Sequence, residues 1–75
     1  MKTYNERIRD LRIDNDKNQK EIAEICGVSD TTMQKYEYGQ SEPKISTLIT
    51  MAKYYKTSID YIAGLTNERQ PYPRA

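Results

Sequence analysis

The stretch from Gln19 to Tyr38, QKEIAEICGVSDTTMQKYEY, restricts the folds open to this chain more than any other part of it. Two short helical patterns flank a single glycine. Ala23 stands mid-way along the first, and Gly27 follows four residues later. Met33 and Tyr36 give the second an apolar stripe at i, i+3. Small or apolar side chains therefore fall where two helices must cross.

The flanking sequence extends this to five helices and no strand. Helix 1 is expected over about Tyr4 to Ile13, with Tyr4, Ile8 and Leu11 on one face. The run Asp14-Asn15-Asp16 ends it, because short polar side chains compete for backbone hydrogen bonds. Helix 2 starts after Asn18, a good N-cap with Glu21 as its capping-box partner. Ile22, Ala23, Ile25 and Cys26 are its expected buried side, and Gly27 takes the left-handed C′ position. Helix 3 starts after Ser29, with Val28 stapled onto Met33, and ends at Tyr38 before Gly39. Gln40–Lys44 is a loop containing Pro43. Helix 4 runs from about Ile45 to Tyr55, with Ile45, Leu48, Met51, Ala52 and Tyr55 facing the core. Helix 5 is short, Ile59 to Ala63, capped by Ser58 and stopped by Gly64, with Leu65 folding back on its last turn. Residues 1–65 form one domain in this reading. Residues 66–75, with Pro71 and Pro73, form a loose C-terminal tail.

With 75 residues, the chain suffices for one small domain whose core supplies only a few kcal/mol of net stability. It has one cysteine and no histidine, so neither an internal disulfide nor a four-ligand zinc site of Cys and His is possible within it. Cys26 reads as a small core residue. No nucleophile–base set can be assembled, so no catalytic residue, metal or cofactor is expected. No signal-peptide pattern or long apolar run is evident, so a soluble, cytoplasmic protein is expected. The net charge of +1 gives no basic footprint, and the second helix of the central pair is not basic. The pattern, not the charge, argues for nucleic acid.

The central pair matches a helix-turn-helix, whose second helix can be laid into a DNA major groove. Four stretches extend the match: IRDLR (8–12), NQKEIAEICGVSDTTMQKYEYG (18–39), EPKISTLITMAKYY (42–55) and SIDYIAGLT (58–66). With these pieces in this order, the chain resembles the phage repressor/Cro (XRE) family of helix-turn-helix regulators from Glu6 to Leu65. The resemblance implies an all-α, five-helix, lambda-repressor-like DNA-binding domain. It also implies that Gln19 touches phosphate and that Asp30, Thr31, Thr32, Gln34 and Lys35 form the reading surface. Arg12 is implied to pair with Glu37. Two positions depart from the family pattern. Lys17 replaces a common apolar residue, and its alkyl stem can cover Ile22. Asp30 replaces a common Gln or Arg; a carboxylate there can accept from cytosine N4 but is repelled by phosphates.

The expected DNA contacts are then Gln19, Lys20, Ser29, Asp30, Thr31, Thr32, Gln34, Lys35, Gln40, Ser41 and Lys44. Gln19 sits at a helix N-terminus, where unpaired N–H groups and the positive dipole end favour an anion. Its blander reading is an exposed helix former. Thr31, Thr32, Gln34 and Lys35 occupy the side of helix 3 left over once Met33 and Tyr36 turn inward. That side is either a solvated face or a compact hydrogen-bonding strip suited to base edges. Gln40, Ser41 and Lys44 are either plain loop or phosphate contacts that set register.

The expected function is sequence-specific binding of double-stranded DNA by a transcriptional regulator, as a repressor. A domain this small calls for a homodimer on a palindromic operator, with half-sites roughly 34 Å apart. Helix 5 and the tail, through Ile62, Leu65 and Tyr72, are the expected dimer contact. No membrane and no small-molecule effector is implied. The rival is a protein-binding adaptor or antitoxin in the same fold, which the near-neutral charge and the acidic Asp30 and Glu37 would suit.

Overall fold

The computed structural model describes residues 2–70. Among the described residues there are five helices: α1 (Tyr4–Asp14), α2 (Gln19–Cys26), α3 (Asp30–Glu37), α4 (Ile45–Tyr55) and α5 (Ile59–Ala63). Side-chain caps open α2, α3 and α5, and a local backbone turn closes every helix. Asn18 Oδ1 accepts from the Glu21 N–H at 2.8 Å, and the Glu21 carboxylate returns to the Asn18 N–H at 3.0 Å. Two N–H groups that the helix itself leaves unpaired are thereby satisfied. Ser29 caps α3 through the Thr32 N–H at 3.1 Å, and Ser58 caps α5 through the Tyr61 N–H at 3.0 Å.

All five helices stop in the same way. A residue in the left-handed region follows each: Asp16, Gly27, Gly39, Lys56 and Gly64. The next N–H then bonds back five residues, as from Val28 to Ala23 at 3.0 Å and from Gln40 to Lys35 at 2.9 Å. This closure satisfies the last carbonyls and fixes the direction in which the chain leaves. Glycine supplies three of the five positions. Asp16 and Lys56 hold the strained conformation with a Cβ.

The core is Ile8 and Leu11 from α1, Ile22 and Ala23 from α2, Met33 and Tyr36 from α3, Met51 and Tyr55 from α4, and Tyr61 and Ile62 from α5. With no Phe or Trp, tyrosines supply its aromatic bulk. α2 packs on α3, while α1 lies against both α3 and α5, and α4 closes against α5 and α2.

Three apolar residues depart from the sequence reading. Ile25 is 40 % exposed and Ile45 66 % exposed. At about 100° per residue, each stands roughly 100° from the centre of its helix's buried face. Both periodicities were read too widely. Leu65 is 71 % exposed; its N–H bonds to the Asp60 carbonyl at 2.9 Å, but its side chain faces out.

In the segment expected to be loose, residues 66–70 make several bonds to the body. Arg7 donates to Asn67 Oδ1 at 2.8 Å, and the Thr57 hydroxyl donates to the Arg69 carbonyl at 2.6 Å. Arg69 donates to Asp14 at 2.7 Å and to the Tyr61 hydroxyl at 3.3 Å. Two guanidiniums lie near the Tyr61 ring, Arg7 at 4.0 Å and Arg69 at 5.5 Å from its centroid. Pro71, Tyr72 and Pro73 lie outside the described residues.

Candidate nucleic-acid interface

α3 divides cleanly into two faces. Met33, Tyr36 and Glu37 are buried, whereas Asp30, Thr31, Gln34 and Lys35 are exposed. The side chains of these four make no hydrogen bond or ion pair within the described residues. They form two columns at i, i+4: Asp30 with Gln34, and Thr31 with Lys35.

The angle of α3 is held by the other face. Glu37 accepts from Arg12 Nε at 2.7 Å and from a second Arg12 nitrogen at 3.0 Å. The Glu37 carboxylate holds the Arg12 guanidinium charged, pushing its pKa above the ordinary value. Gln19 Nε2 also donates to Glu37 at 3.2 Å, and Arg12 donates to the Lys17 carbonyl at 3.0 Å. One carboxylate thus joins α1, the start of α2 and the end of α3. The Arg12–Glu37 pair matches the sequence expectation; the link to Gln19 had no signal in the sequence.

An open depression runs beside α3, lined by Arg12, Asn18, Gln19, Lys20, Asp30 and Gln34. It brings the expected phosphate contact and two expected base readers to one surface. On the far side, the Tyr4 hydroxyl donates to the Ser41 carbonyl at 3.0 Å. Helix α1 therefore braces the loop carrying Gln40, Ser41 and Lys44. Gln40 and Lys44 are exposed and Ser41 half-buried.

Besides Gln19, two more expected contacts have other duties. The Ser29 hydroxyl accepts from the Thr32 N–H and donates to Thr32 Oγ1 at 2.9 Å. Its capacity is largely spent on the cap. Thr32 is half-buried, and with one lone pair taken by Ser29 it keeps its hydroxyl proton and one acceptor position for an outside group. One exposed residue was missed: Tyr38 is 68 % exposed. It stands four residues after Gln34 and seven after Thr31, so helical spacing alone places it on their face.

Ile62 is completely buried, which removes it from any surface between two subunits. Tyr72 lies outside the described residues, and Leu65 remains as an exposed apolar side chain. No helix among the described residues is long and apolar enough to cross a membrane.

Residues 8–62 match the family described as helix-turn-helix. The chain belongs to that family. This helix-turn-helix protein is similar to the cryptic phage CTXphi transcriptional repressor RstR of Vibrio cholerae, at 41 % identity over 75 % of this chain and 50 % of that one. It is 32 % identical to the uncharacterized HTH-type transcriptional regulator YobD of Bacillus subtilis, over 91 % of this chain and 61 % of YobD. The chain thus spans between half and two thirds of these curated relatives. Among solved structures, a transcriptional regulator from Listeria innocua superposes with a TM-score of 0.81 at 30 % identity, covering 88 % of this chain and 62 % of that one. The P22 c2 repressor in complex with a synthetic operator superposes with a TM-score of 0.77 at 27 % identity, covering 83 % of this chain and 94 % of that one. The all-α, five-helix repressor-like fold read from the sequence is the one observed. Its relatives are regulators rather than enzymes.

Proposed function

We propose that this protein binds double-stranded DNA sequence-specifically and regulates transcription as a repressor. The observation that carries this is the outward strip of α3. Asp30, Thr31, Gln34 and Lys35 are exposed and internally unpaired, on a helix whose opposite face is locked by Glu37. Unspent polar groups on a rigid helix suit base edges, where geometry decides affinity. Likeness to an operator-bound repressor supports the same reading.

In this arrangement α3 enters the major groove N-terminus first, with Thr32 and Tyr38 at its margins. Gln19 and Lys20 at the start of α2, with the Ser29 backbone, meet phosphates on one side. Gln40, Ser41 and Lys44 meet phosphates on the other. Such contacts set register, and the strip reads sequence. Residues 1–65 act as the DNA-binding unit. Two copies on a palindromic operator supply the area that one domain lacks.

Selection of DNA fragments by the purified protein tests this. One enriched sequence is expected, bound less tightly as salt rises because phosphate contacts release counterions. Lys35→Ala and Thr31→Ala should weaken that binding with the fold intact. If both bound like the parent, α3 would not be the reader. Co-purification with a protein partner, without DNA retention at low salt, would favour the adaptor or antitoxin reading.

A further inference from the structure

The charge of the reading strip is unusual for a surface that meets DNA, and the contacts around it show what that charge can select. Gln19 has one fixed end: its Nε2 donates to Glu37 at 3.2 Å. A carboxylate cannot donate, so the amide orientation is set, with Oε1 and the second Nε2 proton left for a ligand. Asp30 lies on the same depression, exposed, and its carboxylate makes no hydrogen bond or ion pair within the described residues. Gln19 and Asp30 together present acceptors from two different helices.

We propose that Asp30, on the same depression as Gln19, is a specificity residue that selects cytosine at one position of each half-site. This rests on the DNA-binding reading above. In the major groove cytosine offers the N4 amine, a donor, with no acceptor on the same base edge. Adenine offers N6 beside N7, so a carboxylate reaching for the amine also meets an acceptor. Guanine offers only O6 and N7, and thymine O4 and a methyl group. The Asp30 carboxylate, which can only accept, therefore gains at cytosine, loses part of that gain at adenine and is repelled by guanine. Discrimination of this kind depends as much on the penalty against wrong bases as on attraction to the right one. The same charge lowers affinity for DNA in general, since every phosphate repels it.

The test is selection from random duplexes by the whole chain and by Asp30→Asn, with helicity checked by circular dichroism. The parent should fix cytosine at one position per half-site. Asp30→Asn should move that position to adenine, because an amide donates to N7 while accepting from N6, and leave the rest of the sequence as it was. Replacing the selected cytosine by guanine should weaken the parent's binding roughly fivefold to tenfold, and Asp30→Ala should erase that difference. An enriched sequence that Asp30→Asn and Asp30→Ala leave unchanged at every position would overturn the proposal while sparing the DNA-binding reading. No enriched sequence from the parent would overturn both.

Discussion

Arg12 in α1 grips Glu37 in α3 in a two-point hydrogen-bonded pair, Nε to Oε2 at 2.7 Å and a terminal nitrogen to Oε1 at 3.0 Å. The side chains are 16 % and 2 % exposed, so both charges have left most of their water. A buried pair is weak evidence of net stability, because desolvation offsets attraction. Its value here is geometric. With Gln19 also on Glu37, it fixes how the outward strip of α3 stands relative to the start of α2.

Removing one partner should therefore hurt more than removing both. Arg12→Met leaves Glu37 buried with only the Gln19 amide, and should cost about 3 kcal/mol. The double change Arg12→Met with Glu37→Leu should cost clearly less in stability, yet still weaken specific DNA binding. Urea denaturation of the single and double variants, read as a cycle, checks this. Additive costs would show the pair to be uncoupled.

Much of this architecture was legible in the sequence because its signals are local. Asn18 with Glu21, Ser29, Ser58, Gly27 and Gly64 each act within one helical turn, so the helix ends fell where the caps stand. The pairing of Arg12 with Glu37 came from family resemblance. What escaped was set by tertiary packing. Ile25 and Ile45 look like core from composition but miss the buried arc by angle. The Gln19–Glu37 bond needs the crossing of α2 and α3, which no spacing encodes. The cluster at Tyr61 brings together Arg7 and Arg69, 62 positions apart by their numbering.

That cluster should be anchored on the Arg7 side. Arg7 is 4 % exposed, with its guanidinium 4.0 Å from the ring centroid and bonded to Asn67 at 2.8 Å. The Arg69–Asp14 pair is half exposed on both sides and is worth little. Tyr61→Ala should cost about 3 kcal/mol through lost packing, and Arg69→Ala less than about 1 kcal/mol. Thermal melts of the two variants decide it; equal losses would place the anchor in the outer pair.

Left-handed residues separate conformational strain from steric clash. A Cβ on Gly27 would meet nothing within 4 Å, whereas one on Gly64 would stand 2.5 Å from the Lys2 carbonyl oxygen. Gly27→Ala should cost about 1 kcal/mol, the left-handed penalty alone. Gly64→Ala should cost more, because the backbone at Lys2 must also move. Lys56→Gly removes a strained Cβ at a φ of 55° and should not destabilise like an ordinary glycine substitution. Denaturant midpoints of the three variants give the order; Gly27→Ala costing as much as Gly64→Ala would refute the clash.

Tyr55 buries a hydroxyl that has no hydrogen-bond partner among the described residues. An unsatisfied buried polar group costs about 1–3 kcal/mol, and deleting it without changing shape recovers part of that. Tyr55→Phe should therefore leave stability unchanged or raise it by about 1 kcal/mol, where most core substitutions lower it. A clear loss on chemical denaturation would mean the hydroxyl has a partner, such as an ordered water.

The same burial gives the fold an alkaline limit. Burial pushes the Cys26 thiol above its ordinary 9.0 and the Tyr55 phenol above its ordinary 10.0. For both groups the folded chain holds its proton more tightly than the unfolded chain. Their contribution is complete below the unfolded values. It falls as pH rises, because the unfolded state is then the one that ionises. The urea midpoint should decline from about pH 9 upward, first through Cys26 and then more steeply through Tyr55. Tyr55→Phe should remove the steeper upper part, and Cys26→Ala the onset. A midpoint that stays level in both variants and parent to about pH 11 would mean that neither proton is held by the fold.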